Sequence, residues 1–144
     1  MRRSAAGQQL VQDTYTKLHY HVVFSTLGRE PYIADDWRER LHQYIGGTIR
    51  GLGGQSLRVG GTDNHVHILV ALRPSHRLSD VMREVKHESS RWIHEIIGHA
   101  SFAWQKGYGA FTVSPLAVEK VREYIANQGE HHARETFSRR STMS

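Results

Sequence analysis

Two histidines separated by one residue, and a tyrosine four positions before a glutamine, are the side chains of this sequence best suited to chemistry. His65 and His67 flank Val66. On a strand, side chains at i and i+2 leave from the same face. Two imidazoles there can hold one metal ion while Val66 points into the core behind them. The spacing is a weak motif alone. With eleven histidines in 144 residues, chance gives about 0.8 such pairs per chain. His19 and His21, around Tyr20, make a second pair. Position separates the two. His65 follows a polar turn containing Asp63 and Asn64 and leads into the apolar run ILVAL. That is the end of a well-anchored strand, a rigid platform on which Asp63 and Asn64 can orient the imidazoles. His19 and His21 lie mid-strand and read as half-exposed strand histidines.

Known two-histidine chemistries narrow the reading. A histidine-triad hydrolase needs a third histidine two residues on, where Leu69 stands. A two-histidine phosphoesterase needs Ser or Thr two residues after each histidine, where His67 and Leu69 stand. No HExxH helix and no cysteine is present, so a third ligand must come from elsewhere in the chain. The C-terminal segment PLAVEKVREYIANQGEHH supplies candidates. Val118, Val121 and Ile125 make a buried helical stripe. Tyr124 and Gln128 share a face beside it, and His132 extends that line if the helix continues past Gly129. A tyrosine so placed is either a packing residue with its hydroxyl in water or a nucleophile. A phenol, with pKa near 10, attacks poorly at neutral pH unless a metal neutralises and orients the phosphate. Gln128 is either a solvated helix residue or an oxygen donor to that metal.

The elements that must position these groups follow from periodicity. Residues 15–26, YTKLHYHVVFST, read as a strand. Asp35 or Asp36 can cap a helix to about Leu52, with Trp37, Leu41, Tyr44, Ile45 and Ile49 on one face. Leu57 to Gly61 and His65 to Leu72 read as a hairpin. Leu78 to about Ile97 is a long amphipathic helix. Residues 102–114 read as a broken strand or short hairpin. Ser114 and Pro115 open a last helix as N-cap and first helical residue. The order βαββαβ plus a C-terminal helix carrying Tyr124 predicts an α+β, ferredoxin-like (RRM-like) sandwich, with an antiparallel sheet and helices on one face. The other face is left for a partner.

Composition sets the outer bounds. At 144 residues and 16.5 kDa the chain is one domain, read as residues 14–137, with a flexible arm at 1–13 and a basic tail at 138–144. A formal charge of +5 favours a polyanionic partner only weakly. The longest apolar run, Ile68 to Leu72, is far too short to span a membrane, and no signal peptide is recognisable, so a soluble cytoplasmic protein is expected. No GxxxxGK[ST] loop is present.

Taken together, YHVVFST, DNHVHILV, KHESSRW, WQKGYGAFTVS and YIANQ, in that order between about Tyr15 and His132, resemble the small single-tyrosine transposases of bacterial insertion sequences. Those belong to the His-hydrophobic-His (HUH) superfamily of DNA-nicking enzymes, which includes transposases associated with repeated extragenic palindromes. The resemblance implies a ferredoxin-like fold, a metal pair at His65 and His67, a third ligand at Gln128 and a nucleophile at Tyr124. It implies Mg²⁺ or Mn²⁺, with imidazoles favouring Mn²⁺. It implies a homodimer acting on single-stranded DNA, presented near hairpins at element ends, through a 5′-phosphotyrosine. Candidate DNA contacts are Arg83, Lys86 and Arg91, interleaved with Asp80, Glu84 and Glu88, and the aromatics Trp104, Tyr108 and Phe111; Arg2, Arg3, Arg139 and Arg140 can add nonspecific attraction. Two other readings stand beside it: an inactive single-stranded nucleic-acid-binding module, and a metal-dependent phosphodiesterase that uses water.

Overall fold

The computed structural model describes residues 17–128. Its elements are β1 (Leu18–Ser25), α1 (Asp35–Gly51), β2 (Gln55–Gly61), β3 (His65–Leu72), α2 (Leu78–Trp92), β4 (Gly109–Val113) and α3 (Val118–Ala126). The four strands form one sheet in the order β2-β3-β1-β4, and every pairing is antiparallel. This is the α+β, ferredoxin-like arrangement that the element order predicts. The arm at 1–13, His132 and the tail at 138–144 lie outside the described residues.

Alternation builds one face of the sheet. Val22 and Phe24 of β1 face Ile68 and Val66 of β3 across the ladder, and Val70 and Leu72 continue the row. Against them pack Leu41, Ile45 and Ile49 of α1 and Val81, Met82 and Val85 of α2, all in one core cluster. Each such side chain contributes about 1.5–3 kcal/mol by leaving water. Val66 is fully buried, as expected for the residue between the paired histidines.

Several local readings are corrected. Neither aspartate caps α1: Ala34 is the N-cap residue and no side chain bonds there, while Asp35 pairs with Arg38 at 3.0 Å. Ser114 makes no side-chain cap either; a single 3-10 turn at Pro115–Ala117 leads into α3. Beyond Trp92 the α2 helix widens into a π-type turn over Ile93–Ile97, stopped by Gly98 at φ 86. In the 102–114 segment only Gly109–Val113 is a strand. Trp104 makes an isolated bridge to Thr26, and the Lys86 ammonium donates to the carbonyls of Gln105 (2.6 Å) and Gly107 (2.8 Å). Those carbonyls are satisfied by a cation instead of a ladder.

The largest departure concerns the second face. Gly60 stands opposite His67, so a side chain at either position leaves the sheet on the same side. A Cβ at Gly60 would lie 2.6 Å from the Ile125 carbonyl oxygen and 2.9 Å from its Cγ2. The last helix therefore rests on the face opposite α1 and α2, and only a glycine lets it come so close.

Candidate active site

Register collects the histidines. His65 opposes Ser25, His67 opposes Val23 and His21 opposes Leu69, so His21, His65 and His67 share the face on which α3 lies. α3 delivers Tyr124, and Gln128, two residues past its end, follows it to the same histidines within one protomer. The Tyr124 ring stands edge-on to His67 (centroids 5.8 Å) and to His21 (6.1 Å). It is 51% exposed. Gln128, by contrast, is buried. Its Oε1 lies 3.5 Å from His65 Nε2, and its own Nε2 has no hydrogen-bond partner among the described residues.

The hydrogen bonds around the imidazoles decide which nitrogen is presented. His65 Nδ1 lies 2.8 Å from Asn64 Oδ1 and 2.9 Å from Thr62 Oγ1. An amide oxygen only accepts, so Nδ1 carries the proton and Nε2 keeps its lone pair on the Gln128 side. His67 Nδ1 lies 2.9 Å from His21 Nε2. Burial, then the charges of His65 and His21, push the His67 pKa down to about 4, and burial lowers that of His21. His67 is thus neutral at physiological pH, the form in which imidazole binds metal.

These residues fit a divalent cation. Among the described residues no three His, Asp or Glu side chains converge as a ligand set, so a third donor among them is of another kind. Gln128 meets that need. Its carboxamide oxygen lies 3.5 Å from His65 Nε2, close enough for the two to share one ion. Two imidazole nitrogens and one amide oxygen suit a borderline ion such as Mn²⁺ and admit Mg²⁺ less readily.

The remaining sequence candidates are placed as follows. Asn64 reaches His65, but Asp63 contributes only its main-chain oxygen, to Ile33 N–H at 2.9 Å. Arg83 and Arg91 are on α2, on the apolar side of the sheet, and pair with Asp80, Glu88 and Glu95. Lys86 holds loop carbonyls. Trp104 donates to Ser89 Oγ at 3.0 Å and packs on Phe24 and Phe102. Arg83 and Arg91 remain solvent-exposed in those pairs, whereas Lys86 and Trp104 are engaged by groups of the fold. Tyr108 and Phe111 stay exposed, and Phe111 lies beside His21 (6.3 Å) on the site face.

Three features escaped the sequence reading. His21 was set aside as a strand histidine, yet it bonds His67. The signal was there: Val22 and Phe24 point to the core, so His21 must share the face of His65 and His67 whenever β1 and β3 are neighbours. Thr62, which no sequence motif marks, reaches His65 Nδ1 with its hydroxyl at 2.9 Å. The third feature is a cleft of about 520 Å³ between α1, β2 and α3, lined by Arg38, Arg50, Arg58, His42 and Ile125, and also by Asp35 and Glu39. Among the described residues Arg50 and Arg58 have no carboxylate partner.

An exposed phenol, a buried carboxamide and neutral imidazoles on one side of a ferredoxin-like sheet make a candidate phosphoryl-transfer centre. A family model described as "Transposase IS200 like" matches residues 14–128, and the chain belongs to that family. Solved structures agree in fold. A Deinococcus radiodurans protein assigned as a transposase superposes with a TM-score of 0.65 at 24% identity, over 78% of this chain and 92% of that one. A REP-associated tyrosine transposase bound to a REP hairpin gives 0.59 at 14% identity, over 76% of this chain and 65% of that one. No curated protein matches the sequence. Among the described residues no helix is long and apolar enough to cross a membrane.

Proposed function

We propose that this transposase nicks and rejoins single-stranded DNA in the cytoplasm, with Tyr124 as the nucleophile. The carrying observation is the approach of Tyr124, on α3, and of Gln128, just past its C-terminus, to His67 and His65 of the sheet. The Tyr124 hydroxyl oxygen attacks the scissile phosphorus in line. An O–P bond to tyrosine forms, the P–O3′ bond breaks, the phenolic proton is lost to water, and the departing 3′-oxygen takes one up. The products are a 5′-phosphotyrosine and a free 3′-hydroxyl. A second 3′-hydroxyl reverses the exchange and joins strands, so no nucleotide triphosphate is consumed. A divalent cation, Mg²⁺ or Mn²⁺, held by His65, His67 and Gln128, supplies charge neutralisation at the phosphate when bound. The edge-on packing of the Tyr124 ring on His67 and His21 restricts the hydroxyl to a small arc, which lowers the entropy cost of in-line attack.

The DNA partner is read as single-stranded, near hairpins at element ends, like the hairpin bound by the REP-associated neighbour. Beyond Ile125 the cleft offers its phosphates the guanidinium groups of Arg50 and Arg58, which have no carboxylate partner among the described residues. A homodimer is supported by β4, an exposed edge strand carrying Phe111 at 63% exposure, since an uncovered edge is a template for pairing with a second chain.

The test is a denaturing gel of labelled single-stranded oligonucleotides incubated with the protein and Mn²⁺. A slow-migrating covalent band, absent in Tyr124→Phe and in His65→Ala, is the expected result. Cleavage surviving Tyr124→Phe indicates hydrolysis by water. Retention of uncleaved DNA over a fair range of substrates indicates a binding module.

A further inference from the structure

We infer that His21 is a positioning residue for the candidate metal site: it accepts the Nδ1 proton of His67 and so fixes the tautomer in which His67 Nε2 can bind the ion. This rests on the functional reading above. A neutral imidazole has one N–H and one lone pair, and the contact between His21 Nε2 and His67 Nδ1, at 2.9 Å, holds one proton. If His21 donates, His67 must carry its own proton on Nε2 and loses that lone pair. If His67 donates, Nε2 is left bare, and His21 is protonated on Nδ1. Only the second arrangement gives a ligand.

The other histidine supports this choice. His65 Nδ1 is held by Asn64 Oδ1 and Thr62 Oγ1, so both members of the pair have Nδ1 engaged by a neighbour. In His65 the neighbour is an obligate acceptor on the same strand end. In His67 it is a histidine from the adjacent strand, half-buried in β1, and the aromatic groups Phe111 and Tyr124 pack against its ring. Those contacts restrict rotation of the His21 ring. Orienting partners of this kind are typically worth about 10–100-fold in metal affinity.

Two measurements test it on the full chain. The first is Mn²⁺ affinity from the free-ion EPR signal, for the wild type, His21→Ala, His21→Gln and His67→Ala. A roughly 10-fold or greater loss is expected for His21→Ala, with partial recovery in His21→Gln, whose amide oxygen can accept the same proton. A His21→Ala protein that binds Mn²⁺ as the wild type does, while His67→Ala does not bind, overturns the role of His21 and leaves the active-site reading intact. Wild-type protein that ignores Mn²⁺ sinks the metal site itself. The second is the tautomer of His67 by long-range ¹H–¹⁵N correlation in the metal-free wild type. It needs no variant to fold. Protonation at Nδ1 is expected; a proton on Nε2 contradicts the inference whatever the affinities show.

Discussion

The two faces of the sheet are held by different physics. The face under α1 and α2 is apolar throughout, close-packed and buried. The face under α3 carries three histidines, a buried amide and a half-exposed phenol, and a nine-residue helix is its main described cover. The first face supplies most of the stability. On the second, titratable and polar groups take the place of an apolar core: His67 and Gln128 are buried, and Tyr124 stays half-exposed. The same three strands serve both, through the two-residue alternation of side chains.

That contrast makes separable predictions. The largest effect falls on the site face: Tyr124→Phe should lower covalent product by more than about 10³-fold while the unfolding free energy from urea titration stays within about 0.5 kcal/mol of wild type, as for other exposed positions. Ile68→Ala should do the reverse, costing roughly 2–5 kcal/mol in stability with Mn²⁺ affinity of the folded protein unchanged. Loss of metal affinity in that variant would mean that the two faces are coupled.

Acid should strike next. His42, at the border of the two faces, is 8% exposed, and its pKa is lowered to about 4 by burial, then by Arg38 and Arg58. A histidine whose folded pKa lies below its unfolded value gives stability that is complete above the unfolded value near 6.5 and disappears as pH falls toward 4. The size is roughly 3 kcal/mol, and His67 adds in the same direction. Urea midpoints followed from pH 7 to pH 4 should fall, and His42→Gln should flatten part of that slope. Gly60→Ala should sharpen the contrast further. A Cβ there must push the Ile125 carbonyl away, so covalent product should drop by about 10²-fold through misplacement of Tyr124, with a stability loss of only about 1–3 kcal/mol. The smallest expected effect is in the cleft: Arg50→Glu with Arg58→Glu should weaken oligonucleotide binding several-fold and reduce its salt slope by about 2, leaving Tyr124 chemistry on bound DNA intact.

What could be read in the sequence divides along the same line. The apolar face was legible because Leu41, Ile45 and Ile49 recur at helical spacing and Val66, Ile68 and Val70 at strand spacing; local periodicity carries that information. His65, His67, Tyr124 and Gln128 could be selected by type and order. Their assembly on one face depends on where α3 docks, which local pattern does not encode; nothing in the sequence pattern marks Gly60 as the residue that permits it. His21 needed the register of β1 on β3. Lys86 and Trp104 looked available for DNA because their partners, two loop carbonyls and the Ser89 hydroxyl, are distant in sequence and chemically unremarkable.

The most direct measurement is the site of covalent attachment. Trapped protein–DNA product, digested with nuclease and trypsin, should carry its nucleotide on the peptide of residues 123–134, at Tyr124 and linked through a 5′-phosphate. Attachment at any other residue, or cleaved DNA with no protein adduct, would contradict the account.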